Sequence, residues 1–189
     1  MHLTLCALLP SMTMACAFTD QTVKLPPTQI SAAAIAAPYK ATVLVPLIVD
    51  LRETDHIGVK KNLFGMDTGK VFPDRNVALW LRERLKTELR AAGVNTIRTR
   101  GNESAVVQLF LIRLFSEPVF RGGADEYETT LAVRLKLTSE GGEISDREHV
   151  VIGVAGGQSP KEKNYTTSVE QATAELMKRL VPDIISNSL

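Results

Sequence analysis

Asp67-Thr68-Gly69 is where chemistry is first looked for in this sequence. An aspartate in that tripeptide can share a proton with a second carboxylate and activate water. Two such aspartates must meet, and the tripeptide occurs once, so the chemistry would need two copies of the chain. Phe64-Gly65-Met66 stands where an apolar strand should lead in, and Lys70 follows. A Gly-rich surface loop is the simpler reading. The same stretch, Gly65 to Lys70, has the outline of a phosphate loop. It has one residue too few between its glycines, and Val71 replaces the Ser or Thr that would hold magnesium.

The histidines His2, His56 and His149 fall at no helical metal-binding spacing. Cys6 and Cys16 both precede the folded part, so nothing after Cys16 can form a disulfide or a thiolate zinc site. The serines include no Gly-x-Ser-x-Gly elbow. Asn102-Glu103-Ser104 and Asn164-Tyr165-Thr166 match a glycosylation acceptor, a tripeptide common by chance. Gly122 to Glu126 lacks calcium-ligand spacing and reads as a hairpin turn. No catalytic set, cofactor or metal is expected. A periplasmic hydrolase using Asp67 or a histidine stands as the enzymatic alternative.

Composition narrows the partners. A net charge of +1 offers no basic footprint for nucleic acid, and 5% aromatic residues offer no base-stacking surface. A hydrophobic share of 44% is ordinary for a globular domain and low for a membrane bundle.

The N-terminus directs export. Leu3 to Ala15 is an apolar run with the length of a signal-peptide core, too short to span a bilayer. Met12-Thr13-Met14-Ala15-Cys16 resembles a bacterial lipobox, with the small Ala15 before the cysteine that is acylated. Thr13 replaces the usual Leu, and the n-region has only the α-amino group and His2 for charge. Residues 1–15 are thus read as a signal peptide and Cys16 as the lipid attachment. Two other readings stay open: cleavage after Ala17 at Ala15-Cys16-Ala17, which gives a soluble periplasmic protein, or an uncleaved apolar tail. Residues 16–39, with Pro26-Pro27 and the run Ala32 to Ala37, read as a flexible tether that lets a domain of residues 40–189 float clear of lipid.

One loop invites binding. His56 to Val71 is far longer than a strand-to-helix connection needs. Ile57, Lys60, Lys61, Asn62, Phe64, Met66 and Asp67 are the candidate partner-binding residues, with Phe64 and Met66 as anchors. The alternative is that these apolar residues pack over the sheet end.

The elements that must position this loop follow from periodicity. Thr42 to Val49 is an aliphatic run for a buried strand, broken or edged at Pro46. Val77, Leu81, Leu85 and Leu89 make a helical stripe over Asp74 to Ala92, with Arg84 and Glu88 paired on its wet side and Gly93 past its end. Asn95–Thr99, Val106–Phe115, Tyr127–Leu137 and Arg147–Ala155 read as strands, the third alternating cleanly. Thr167 to Glu170 reads as a capping box that starts a second helix, with Pro182 to end or kink it. The order β-α-β-β-β-β-α predicts an α+β two-layer sandwich. Its sheet is mixed and mostly antiparallel, with both helices on one face and the first strand parallel to the one after the first helix.

The chain also resembles the YajG family of Gram-negative lipoproteins. The likeness runs from the lipobox to the last helix. It is carried by Ile57-Gly58 to Gly65-Met66-Asp67-Thr68, Trp80-Leu81…Glu88-Leu89…Ala92-Gly93, Val107-Gln108-Leu109 and Val154-Ala155-Gly156. It implies an outer-membrane lipoprotein of unassigned biochemical role facing the periplasm, held by an acyl anchor in outer-membrane lipid, and a non-enzymatic role is the first functional expectation. The layout is similar to auxiliary lipoproteins of envelope transport, which implies an envelope protein or lipid as partner.

Overall fold

The computed structural model describes residues 19–28, 42–62, 64–97, 105–121, 124–139, 141–156 and 161–188. In chain order the elements are β1 (Gln21–Val23), β2 (Thr42–Leu44), β3 (Val49–Asp50), β4 (Gly58–Lys61), β5 (Asp67–Pro73), α1 (Val77–Ala91), β6 (Asn95–Ile97), β7 (Ala105–Arg121), β8 (Ala124–Thr138), β9 (Ile144–Gly156) and α2 (Lys161–Asn187). The fold is the expected α+β sandwich: one mixed sheet with two helices.

Alternation in β8 sets the two faces of the sheet. Tyr127, Thr129, Leu131, Val133, Leu135 and Leu137 are all buried under the helices, while Arg134 stands exposed on the other face. β7, β8 and β9 form an antiparallel meander. Along the free side of β7 run β2, β3 and β4 in succession, each parallel to it, at Ala105, Phe110 and Ser116. β6 extends the sheet beyond β2, parallel as expected, and β5 then β1 extend it beyond β4.

Two irregularities keep the core continuous. A bulge between Leu111 and Arg113 shifts the inward set of β7 from Leu109 and Leu111 to Leu114 and Ser116. Pro46 splits the first aliphatic run into β2 and β3, since it has no N–H for the ladder. The carbonyls released there are met by Arg82 of α1, whose Nε donates to Pro46 O at 3.0 Å and whose Nη2 donates to Val45 O at 3.2 Å.

α1 is bounded by its own sequence. Asn76 Oδ1 accepts the Leu79 N–H at 2.9 Å as N-cap. Gly93, at φ 84°, closes the other end, with Val94 N–H reaching back to Leu89 O at 2.9 Å.

Several expectations need correction. Residues 19–28 are part of the domain and not tether. β1 pairs with β5, Val23 and Leu25 join the core, and Trp80 Nε1 donates to Pro26 O at 2.8 Å. Pro26-Pro27 forbids helix, as read, but its carbonyls are used as acceptors. Arg84 and Glu88 are not on a wet face. Arg84 is 1% exposed and bonds Glu88 on its own helix at 3.0 Å and Glu170 on α2 at 3.1 Å.

α2 begins at Lys161 and not at the Thr167 capping box, and it runs through Pro182 to Asn187. The Ser168 hydroxyl is instead buried against Thr129 Oγ1 at 2.7 Å and Ser116 Oγ at 3.3 Å, tying helix to sheet. The stretch His56 to Val71 is not a structureless loop, because β4 and β5 form an antiparallel hairpin there.

Candidate functional site

The hairpin of β4 and β5 is built by close backbone approaches. Gly58 lies against β7, where a Cβ would meet Ser116 O at 2.1 Å, and Gly69 lies against the N-terminal segment, where a Cβ would meet Thr19 O at 2.4 Å. These glycines let three chain segments stack tightly at one end of the sheet. Asn62 shapes the tip: its Oδ1 accepts the N–H groups of Phe64 and Met66, each at 3.0 Å, and Gly65 turns the chain at φ 77°. The result is a held turn that presents Phe64 at 86% and Met66 at 58% exposure. Neither packs over the sheet end.

Beneath the tip is a cavity of about 400 Å³. Lys60, Lys61, Asn62, Met66 and Thr68 of the hairpin line it together with Gln21, Pro118, Tyr127, Lys161 and Tyr165. Tyr127 and Tyr165 form its aromatic wall, edge to face with ring centres 4.7 Å apart. The Tyr165 hydroxyl donates to Val59 O at 2.6 Å, and burial, with Tyr127 and Glu117 nearby, holds it protonated far above the ordinary phenol range. It is therefore a structural donor and not a base.

The cationic groups differ in how they are held. Lys60 Nζ donates to Thr19 O at 2.9 Å, and Lys61 is paired with Glu117. Lys161, exposed at the start of α2, has no hydrogen bond or ion pair among the described residues. Because Asn62 Oδ1 already accepts two N–H groups, its amide NH2 is the part left to meet a ligand.

Four of the sequence-predicted residues, Lys60, Lys61, Asn62 and Met66, thus meet at one cavity mouth, with Phe64 on the same turn. Ile57 does not join them. It is fully buried, with its N–H on Val71 O at 2.7 Å, and belongs to the core. Asp67 is exposed opposite Lys61 on the hairpin. His56 Nδ1 is 3.6 Å from Asp55, its ring packed edge-on between Phe72 and Phe115, while His149 lies 3.3 Å from Asp183. Asp67 and the histidines are not brought together into a catalytic group. Cys16 lies outside the described residues.

Sequence reasoning missed Gln21, Tyr127, Lys161 and Tyr165 as site residues. Only Tyr165 and Lys161 carried a usable signal. A helix start at Lys161 would have placed both on its first turns, beside the hairpin.

Among solved structures, the protein XCC0632 from Xanthomonas campestris, of the DUF330 family model, superposes with TM-score 0.64 at 15% identity, over 89% of this chain and 95% of that one. The fold is shared. The hypothetical protein CT253 from Chlamydia trachomatis also superposes, at TM-score 0.50 and 10% identity, over 79% of this chain and 98% of that one. A looser likeness, TM-score 0.43 at 15% identity over 70% of this chain and 94% of the other, is to a minor lipoprotein from Acinetobacter baumannii. No protein-family model and no curated protein sequence matches the chain. The first two likenesses carry the architecture, and the YajG relation stays a resemblance.

Proposed function

We propose that this chain is a non-enzymatic lipoprotein of the bacterial envelope, acylated at Cys16, held on the periplasmic face of the outer membrane, and working by contact with an envelope partner through the β4–β5 hairpin. The observation that carries the contact surface is the tip itself. A large apolar side chain left 86% exposed on a turn locked by four hydrogen bonds serves no packing purpose in the domain. The signal-like core ahead of Cys16 supports the anchor.

The hydrolase alternative has less to stand on. Asp67 is exposed and faces Lys61 across the hairpin, and His56 and His149 are each set beside a different aspartate.

Two variants test the reading. Cys16→Ser should abolish acyl labelling, weaken sedimentation with the membrane fraction and change the processed size; unchanged sedimentation together with an unchanged processed size refutes the anchor. Phe64→Ala with Met66→Ala should leave the unfolding free energy within the range of a surface change, about 0.5 kcal/mol, yet lose whatever co-purifies with the wild-type protein from membranes. A loss of about 3 kcal/mol or more would mark Phe64 as core and sink the docking surface.

A further inference from the structure

We infer that the cavity beneath the hairpin takes the phosphate of an anionic lipid headgroup, with Phe64 and Met66 entering the apolar layer beside it. The inference rests on the anchor reading above and adds the ligand class. Position is the first argument. The described fold begins at Thr19, and Thr19 is bound into this very site: its carbonyl accepts from Lys60 and touches Gly69. Cys16 lies three residues earlier. Three residues span at most about 11 Å, so a lipid attached at Cys16 keeps the cavity mouth and hairpin tip close to the headgroups.

Charge is the second argument. Three ammonium groups, Lys60, Lys61 and Lys161, line the cavity, and the paired carboxylate of Glu117 offsets one of them. Lys61 uses one of its three donors on Glu117, and Lys161 uses none among the described residues. The Asn62 amide and the Thr68 hydroxyl add neutral donors to the lining. Such a set matches the acceptor oxygens of a phosphate.

Shape is the third. The rest of the lining includes Pro118, Tyr127, Tyr165 and Met66, which suit glycerol and the first methylenes of an acyl chain better than they suit a free, fully hydrated anion. The exposed Phe64 and Met66 sit on the same turn, as interfacial anchors do.

The test uses the full chain carrying Cys16→Ser, so that no acyl group of its own holds it to a bilayer. It is sedimented with vesicles of phosphatidylcholine alone or mixed equally with phosphatidylglycerol, and separately titrated with inorganic phosphate. Binding is expected to the phosphatidylglycerol vesicles and to be at least about tenfold weaker to phosphatidylcholine. Lys161→Ala should weaken it with no change in melting temperature, and Phe64→Ala with Met66→Ala should weaken it independently of charge.

Equal binding to both vesicle types overturns the inference, as does full retention by Lys161→Ala together with Lys60→Ala. Binding of inorganic phosphate as tight as that of phosphatidylglycerol would identify a free-anion site and reject the lipid. Acyl labelling and processed size of the wild-type protein against Cys16→Ser report on the anchor alone, because the headgroup site can hold an unacylated chain to a bilayer, so a failure of the anchor and a failure of the headgroup site give different results.

Discussion

At the scale of single residues, the positions that matter most are those where something had to be left out. Gly153 of β9 passes directly under α2, where a Cβ would lie 2.2 Å from Ser168 O and 2.3 Å from Ala172 N. Those are backbone atoms of a helix fixed by the Ser168 hydroxyl bonds to Thr129 and Ser116, so no side chain can rotate away to make room. Gly153→Ala should therefore lower stability by about 1 to 3 kcal/mol, the usual cost of overpacking, visible as a lower denaturation midpoint at unchanged slope. Arg84 is the opposite case, a large charge put in. Its buried guanidinium is matched by Glu88, Glu170 and the Pro27 carbonyl, so it joins α1, α2 and the N-terminal segment at one point.

At the scale of elements, the short strand β1 and its continuation decide where the domain starts. Val23 and Leu25 are buried, and burying an aliphatic side chain contributes about 1.5 to 3 kcal/mol each. A chain beginning at Pro38 should therefore melt well below the intact protein, and an unchanged melting temperature would contradict the packing of residues 19–28.

The clasp that holds this segment is Asp74. Its Oδ1 accepts the Leu25 N–H at 2.9 Å, and its carboxyl is held below the usual aspartate range, first by the Arg75 side chain and then by that backbone bond. A lowered carboxylate pKa contributes stability that is complete above the unfolded value, about 3.9, and is lost as pH falls through the folded one. Asp74→Asn should accordingly melt lower than wild type near neutrality and converge with it in strong acid. A gap between the two that persists at low pH would rule out the carboxylate as the cause.

At the scale of the whole molecule, the helices among the described residues cover one side of the sheet. Both helices pack on the inner face, and Val150, Ile152 and Val154 of β9 remain exposed on the outer one. The hairpin, the start of β1 and the start of α2 gather at one end, so that end is where a short leash from Cys16 would hold the protein. Inserting about a dozen Gly and Ser residues between Ala17 and Thr19 should leave membrane fractionation unchanged while reducing headgroup contact, because the domain could then stand off by tens of ångströms. Photocrosslinking from position 64 to lipid would follow that contact, and undiminished crosslinking after insertion would show that proximity to the anchor is irrelevant.

What the chain's sequence determined by itself was whatever repeats over several residues. The alternation of β8 and the four-residue stripe and Gly93 cap of α1 could be read directly, because local periodicity is dictated by which face must avoid water. The hairpin residues Lys60, Lys61, Asn62 and Met66 were legible as a group because they are neighbours in the chain.

Only the tertiary structure decided the rest. Three residues of β1 are too few to show a period, and the true start of α2 is hidden because Thr167 and Ser168 look like a cap until the sheet's hydroxyls claim Ser168. Lys161 and Tyr165 reach the cavity across about a hundred residues of sequence from the hairpin. Such long-range meetings depend on how strands stack, which no local pattern encodes.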